Sequence, residues 1–244
     1  MPPREWNAAS YDRMSDPQLA MGRDVIDRLD LRGDERVLDA GCGSGRVTEA
    51  LLRRVPNGTV IAVDGSVAMV EQTRERLGDR VEAFAVDLVE LTVTKPFDAI
   101  LSTATFHWIG DHDRLFARLH AALRPGGRLA AQCGGAGNIA NVQTAIDAVD
   151  HPALRDWAGP WNFATPEATT RRLTAAGFTA VWTWLQPWRV DPPDPREYFA
   201  TVILGTHLER LPEADRDAFV EDVLAQLDEP VHADYVRLNI LART

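Results

Sequence analysis

Cysteine is nearly absent: Cys42 and Cys133 are the only two in 244 residues, and neither belongs to a CxxC pair. That leaves no disulfide framework and no structural zinc site. No apolar run approaches the roughly 20 residues that a membrane-spanning helix needs. The opening MPPREWNAASYDRM has no apolar centre of the kind a secretory signal carries. Basic residues are outnumbered, 26 against 36 acidic ones, for a formal charge of −10, and the arginines are scattered among carboxylates. An acidic surface repels nucleic-acid backbones and anionic lipid head groups. These absences predict a cytoplasmic protein with neither nucleic acid nor membrane as a partner. Internal repeats and low-complexity tracts are missing too.

What is present is an apolar fraction of 45%, ample for the packed core of one larger globular domain. Leu19, Val25, Ile26 and Leu29 are spaced as a helix face. RVLDA (36–40) then reads as a short buried strand, RVTEALLRRV (46–55) as a helix, TVIAVD (59–64) as a strand and AMVEQTRERL (68–77) as a helix. Further strands are expected over 81–87, 97–105 and 127–133, with an amphipathic helix over 112–123. Strands alternating with helices imply parallel pairing through right-handed crossovers, hence an open α/β sheet. Ligands of such sheets sit beyond the carboxyl ends of the strands. Later segments read as a helix (141–149), an irregular Trp- and Pro-rich stretch (151–166), a helix (167–176) and a strand (179–190). Trp182 and Trp184 share one face of that strand and are expected in the core. Helices to about 227 and the stretch DYVRLNILA (234–242) complete the chain.

The most informative stretch is VLDAGCGSG (37–45), a strand running into a loop with glycine at every second place. A phosphate-binding P-loop needs lysine and a hydroxyl residue after its last glycine; here Arg46 and Val47 follow Gly45. A dinucleotide loop needs glycine at its sixth place for close helix–strand packing, and that place is Arg46. A nicotinamide-dependent oxidoreductase therefore survives on the glycines alone.

VLDAGCGSG resembles, along its whole length, the first motif of the class I S-adenosylmethionine-dependent methyltransferases. VIAVDGS, FAVDL and LRPGGRL match three further stretches of that family in the same order. WNAASYD (6–12) and STATFHWI (102–109), the latter followed by a DH dipeptide, resemble one group within it, the trans-aconitate 2-methyltransferases and related type 11 small-molecule methyltransferases. The resemblance covers roughly residues 5–190. It implies a Rossmann-like sheet, mostly parallel with an antiparallel last strand, and a helical cap. The single domain would comprise N-terminal lid helices (1–30), a cofactor-binding core (31–135) and an acceptor-side cap with closing strands (136–244).

The resemblance also assigns roles. Gly41, Cys42, Gly43 and Gly45 form the loop, whose glycines let the backbone turn tightly and approach a ligand without Cβ obstruction. Asp39 lies near the ammonium of S-adenosylmethionine, Asp64 accepts the ribose hydroxyls, and Asp87 with Leu88 holds the adenine end. Gly65, Ser66 and Met69 follow Asp64, where one side chain packs on adenine, and Thr103 closes the site from the fourth strand. An aspartate at a strand end also serves as a helix cap, and Met69 also suits a core. The product would be S-adenosylhomocysteine; no metal is expected.

On the acceptor side the catalytic candidates are His107 and Tyr11. His107 takes a proton from a hydroxyl acceptor or donates a hydrogen bond to a carboxylate; packing against its loop is the plain alternative. Trp6, Tyr11, His107, Trp108 and Trp161 are expected around a small-molecule acceptor, with Trp157 as a lid or a loop anchor. His112 and the other histidines are expected at the surface or as caps. A methyl transfer to oxygen, to a carboxylate in particular, is the leading expectation. A silent S-adenosylmethionine binder stays open beside the oxidoreductase.

Overall fold

The computed structural model describes the backbone of residues 16–244 and side chains from Leu19 onward. Trp6 and Tyr11 lie outside the described residues. In chain order the regular elements are α1 (Asp16–Asp27), β1 (Arg36–Ala40), α2 (Arg46–Leu52), β2 (Thr59–Asp64), α3 (Val67–Leu77), β3 (Glu82–Ala85), β4 (Phe97–Thr103), α4 (His112–Ala122) and β5 (Leu123–Gly134). There follow α5 (Ala140–Val149), α6 (Pro166–Ala175), β6 (Thr179–Val190), α7 (Pro195–Tyr198), a π-helical turn (Phe199–Ile203), α8 (Gly205–Arg210), α9 (Arg216–Ala225) and β7 (Ala233–Arg243).

The strands form one seven-stranded sheet in the order β3-β2-β1-β4-β5-β7-β6. β1 to β5 pair in parallel, and β7 is antiparallel to both β5 and β6. The chain starts in the middle, moves outward to β3 and returns beside β1 as β4. The crevice between the carboxyl ends of β1 and β4 is thus the switch point where open α/β sheets bind ligands. The reading of a mostly parallel Rossmann-like sheet with an antiparallel last strand holds.

β1 and β4 are buried on both faces, and their apolar runs reflect it: Val37, Leu38, Ala99, Ile100 and Leu101 are all inaccessible. One face packs on α4, through Leu115, Phe116 and Leu119. The other packs on α1 to α3, with Val25, Ile26 and Leu29 supplied by the α1 segment. A third apolar cluster joins α5, Tyr198, Phe199, Ile203, Phe219 and Val223 to the start of β7. It builds a cap over the crevice side.

Two expectations fail here. Trp182 is 71% exposed instead of buried. β6 is the edge strand, as Pro187 within it suggests. Trp184 on the same strand lies under the guanidinium of Arg28, 5.2 Å from the ring centroid. His112 and His207 are buried instead of lying at the surface, the Nε2 of His112 2.9 Å from the carbonyl of Phe106. The loop folds back over the first turn of α4 and takes that side chain from solvent.

Candidate functional site

Each of the first three strands has an aspartate at or near its carboxyl end. At β1, Asp39 is fully buried and accepts a 2.7 Å hydrogen bond from the hydroxyl of Thr48. Its other oxygen, Oδ1, has no hydrogen-bond partner among the described residues. Burial raises its pKa to about 7; Thr48 opposes the rise and the charge of Asp64 adds to it. At β2, Asp64 accepts from the backbone N–H groups of Gly43 and Ser66, both at 2.9 Å and one on each oxygen. Asp87, beyond β3, caps a short turn through Val89 N–H at 3.1 Å. Ser66 caps α3 by accepting from Met69 N–H at 3.3 Å.

The glycine loop is shaped by two different constraints. Gly41 has φ +91°, and a Cβ there would stand 2.0 Å from the hydroxyl of Thr105. Gly43 has φ +54°, and a Cβ there would meet nothing within 4 Å, because its position opens on a cleft. The space within the cleft walls, its mouth included, is about 1630 Å³. Gly41, Gly43, Asp64, Gly65, Ser66, Met69, Asp87, Leu88 and Thr103 all line it.

Asp39, at the end of β1, and the loop residues Cys42 and Gly45 do not line the cleft. Cys42 was expected at the ligand, but its side chain is buried in the core with its sulfur 3.7 Å from the Thr73 hydroxyl. Burial and the two nearby aspartates push its thiol well above the ordinary range. Gly45 serves packing: a Cβ there would come within 2.9 Å of Thr73 on α3.

His107 lies in the short turn Phe106–Trp108 after β4 and is 7% exposed. It faces a second, smaller chamber of about 440 Å³ with the space at its open side counted in. Ala104, Trp108 and Trp161 line both spaces, so chamber and cleft adjoin. The His107 Nδ1 accepts a 3.3 Å hydrogen bond from Gly134 N–H. Burial, then the charge of Arg237 and His112, holds its pKa well below the usual value. A neutral imidazole that accepts at Nδ1 carries its proton at Nε2. In that tautomer His107 donates from Nε2, the role expected of it toward a carboxylate acceptor.

The chamber also contains residues that the sequence reading passed over. Arg237 and Tyr235 come from β7, and Asn138 from the loop after β5. Arg237 is 3% exposed and lies 5.5 Å from the Tyr235 ring centroid. The Tyr235 hydroxyl is 2.9 Å from that of Tyr198. A charged residue in the middle of the apolar run of DYVRLNILA was the available signal. In the cleft wall, the buried hydroxyl of Thr206 has no hydrogen-bond partner among the described residues.

The segment 157–163 forms the remaining wall. Asn162 N–H donates to the His107 carbonyl at 2.8 Å, and its side chain donates to the carbonyls of Ile109 and Gly110, both at 3.2 Å. Trp161 stacks on Phe163 with centroids 5.5 Å apart. Trp157 packs against His207 and under Arg210, so it anchors the loop. Among the described residues no group of three or more His, Cys, Asp or Glu is placed to hold a metal ion. None of their helices is long and apolar enough to cross a membrane.

Comparison with known proteins follows the same lines. The methyltransferase domain family matches residues 37–127. The trans-aconitate 2-methyltransferase of Paracidovorax citrulli is 31% identical, covering 98% of this chain and 96% of its own. That of Rhizobium etli is 28% identical, over 91% of this chain and 90% of its own. The phosphoethanolamine N-methyltransferase 2 of Haemonchus contortus, solved with S-adenosyl-L-methionine, superposes with a TM-score of 0.66. It is 18% identical, and the match covers 97% of this chain but 56% of that protein.

Proposed function

Since the chain belongs to the S-adenosylmethionine-dependent methyltransferase family that includes the trans-aconitate 2-methyltransferases, we propose that it methylates a carboxylate oxygen of a small organic acid. What carries this reading is the lining of the chamber beside the cleft. A protein of net charge −10 keeps a buried guanidinium, Arg237, and a buried donor, His107, at one cavity. That combination suits an anion and leaves a neutral phenol without a reason to prefer the site.

The cofactor-side residues fit the group. The unpartnered Asp39 oxygen behind the loop suits an ammonium, directly or through water. Asp64 lines the cleft at the tip of β2 and presents a two-oxygen carboxylate, the group that suits the two ribose hydroxyls. The open side of Gly43 lets the ligand reach the backbone. Asp87, Leu88 and Met69 offer an acceptor and apolar walls for adenine, with Gly65, Ser66 and Thr103 completing the contour. When bound, the cofactor supplies an electrophilic methyl on a sulfonium.

The protein's work is then alignment and the exclusion of water. Positioning supplies about 7–11 kcal/mol in well-oriented reactions, against the roughly 10²–10⁴-fold effect of a general base. A carboxylate acceptor is already ionised and needs no base, which agrees with His107 as a donor. Trp108 and Trp161 wall the junction where acceptor and methyl meet. Trp6 and Tyr11 are retained as acceptor-side candidates, Tyr11 also as a catalytic one, from the sequence resemblance.

The test is a panel of carboxylic acids and phenols incubated with methyl-labelled cofactor. Label is expected in an alkali-labile methyl ester. Label confined to alkali-stable phenyl ethers would remove the acid reading.

A further inference from the structure

We propose that Asn162 is a positioning residue for methyl transfer: it fastens the cap to the turn after β4 and so sets the two walls between which acceptor and methyl meet. The turn Phe106–Trp108 and the residues up to Asp111 connect β4 to α4 outside regular structure. Their N–H groups are used locally, Trp108 donating to the Thr105 carbonyl at 2.9 Å and Ile109 to that of Phe106 at 3.0 Å. The carbonyls of His107, Ile109 and Gly110 turn instead to one residue of the cap. Asn162 N–H donates to the first at 2.8 Å, and its side-chain nitrogen donates to the other two, both at 3.2 Å. Carbonyl oxygens only accept, so the amide must present its nitrogen to them. On either side of Asn162 the chain sets a ring against a ring of the turn. Trp161 meets Trp108 with centroids 6.2 Å apart, and Phe163 meets His107 at 5.9 Å. Trp108 and Trp161 line both cleft and chamber, so this one residue aligns the rings at their junction.

A connection with no helix or ladder to stiffen it keeps one orientation only where its polar groups have fixed partners. Asn162 is half-buried, and neutral hydrogen bonds in such a place add little to overall stability. Their effect is local. Displacement at a methyl carbon needs the attacking atom, that carbon and the sulfur close to one line, and a misplacement of about 1 Å costs on the order of a hundredfold in rate. The cofactor side is held by bonds of its own, Asp64 by the N–H groups of Gly43 and Ser66. Loosening the cap leaves those bonds in place. Loss of the Asn162 side chain therefore separates alignment from binding: turnover falls while cofactor affinity holds. The inference needs methyl transfer alone, and not a carboxylate as the acceptor.

The experiment compares the wild type with Asn162→Ala, Asn162→Asp and Asn162→Gln. The alanine variant keeps the backbone donor and loses the side-chain ones. The aspartate variant keeps the shape but turns a carboxylate on two carbonyl oxygens. The glutamine variant keeps the donors on a longer stem. Turnover is measured with labelled cofactor and trans-aconitate, or whichever member of the acid and phenol panel takes the label, per molecule that binds S-adenosylhomocysteine in calorimetry. kcat should fall roughly 10- to 100-fold in Asn162→Ala, further in Asn162→Asp, and recover in part in Asn162→Gln. KM for S-adenosylmethionine and Kd for S-adenosylhomocysteine should stay within about threefold. Wild-type turnover in Asn162→Asp, or a loss confined to cofactor affinity, would overturn the proposal. A second readout needs no acceptor. With 5-fluorotryptophan incorporated and signals assigned by single Trp→Phe changes at Trp108, Trp161 and Trp182, the first two fluorine signals should move in Asn162→Asp while that of Trp182 stays. Unmoved signals of Trp108 and Trp161 refute the positioning role. If no acid is labelled yet those signals move, the choice of acceptor falls and the positioning role stands. Should no variant fold, the wild type decides: its Asn162 N–H is expected to exchange at least about a hundredfold more slowly than in an unfolded peptide, and unprotected exchange sinks the inference.

Discussion

A carboxyl buried as deeply as that of Asp39 keeps its proton in the folded protein up to about pH 7, whereas an exposed aspartate releases it near 3.8. Over that window the folded state binds the extra proton, so this group's contribution to stability is full below 3.8, declines as pH rises, and is gone above about 7. Urea unfolding of wild type and Asp39→Asn across pH 4 to 8 should show the difference between them changing in that direction; parallel curves would refute the protonation. A cationic amino group bound beside Asp39 reverses the preference, because it favours the ionised form. S-adenosylmethionine affinity should therefore weaken as pH falls below about 7, and in Asp39→Asn it should be weaker and flat. For Asp64, charge-assisted hydrogen bonds worth about 1.5–3 kcal/mol each predict at least a tenfold affinity loss in Asp64→Ala by calorimetry. Unchanged affinity would remove the ribose assignment.

The loop between β1 and α2 separates folding constraints from binding constraints within a few residues. Gly41→Ala must displace Thr105 and also hold a positive φ, so it should destabilise the protein by about 1–3 kcal/mol. Gly43→Ala pays only the conformational part, roughly 1–2 kcal/mol, since no protein atom opposes its Cβ. Its methyl group would project into the cleft, so cofactor affinity should fall even where thermal unfolding shifts little. Thermal scans and calorimetry on both variants check this; an affinity loss in Gly41→Ala alone would reverse the assignment. At the other end of the sheet, β6 shows why alternation is an incomplete guide. Period-two spacing correctly places Trp182 and Trp184 on one face. Whether that face is covered depends on what packs there: Trp184 lies under Arg28, while Trp182 is left exposed.

The whole molecule is acidic while its proposed acceptor is anionic, so encounter is slowed by long-range repulsion that salt screens. Raising ionic strength from about 0.01 M to about 0.15 M shortens the screening length from about 30 Å to about 8 Å. kcat/KM for a carboxylate acceptor should rise over that range, and a fall would mean that screening of the buried Arg237 contact dominates. At this scale the division between readable and unreadable is physical. Asp39, the glycine loop, Asp64 and Asp87 were legible because each follows its own strand tip within a few residues, and local order fixes their placement on a parallel sheet. Arg237 was not, because its chamber is assembled from β7, the turn at His107 and the cap, which only chain reversal brings together. His112 was misjudged for a more local reason, since the carbonyl it meets belongs to the turn six residues before it, folded over the start of its helix. The sequence by itself determined the sheet, the order of its acidic tips and the family; tertiary packing alone decided which nitrogen of His107 the Gly134 N–H engages, which tryptophan is covered and that Arg237 is buried. Those outcomes depend on contacts between segments distant in the chain, and local patterns carry no record of them.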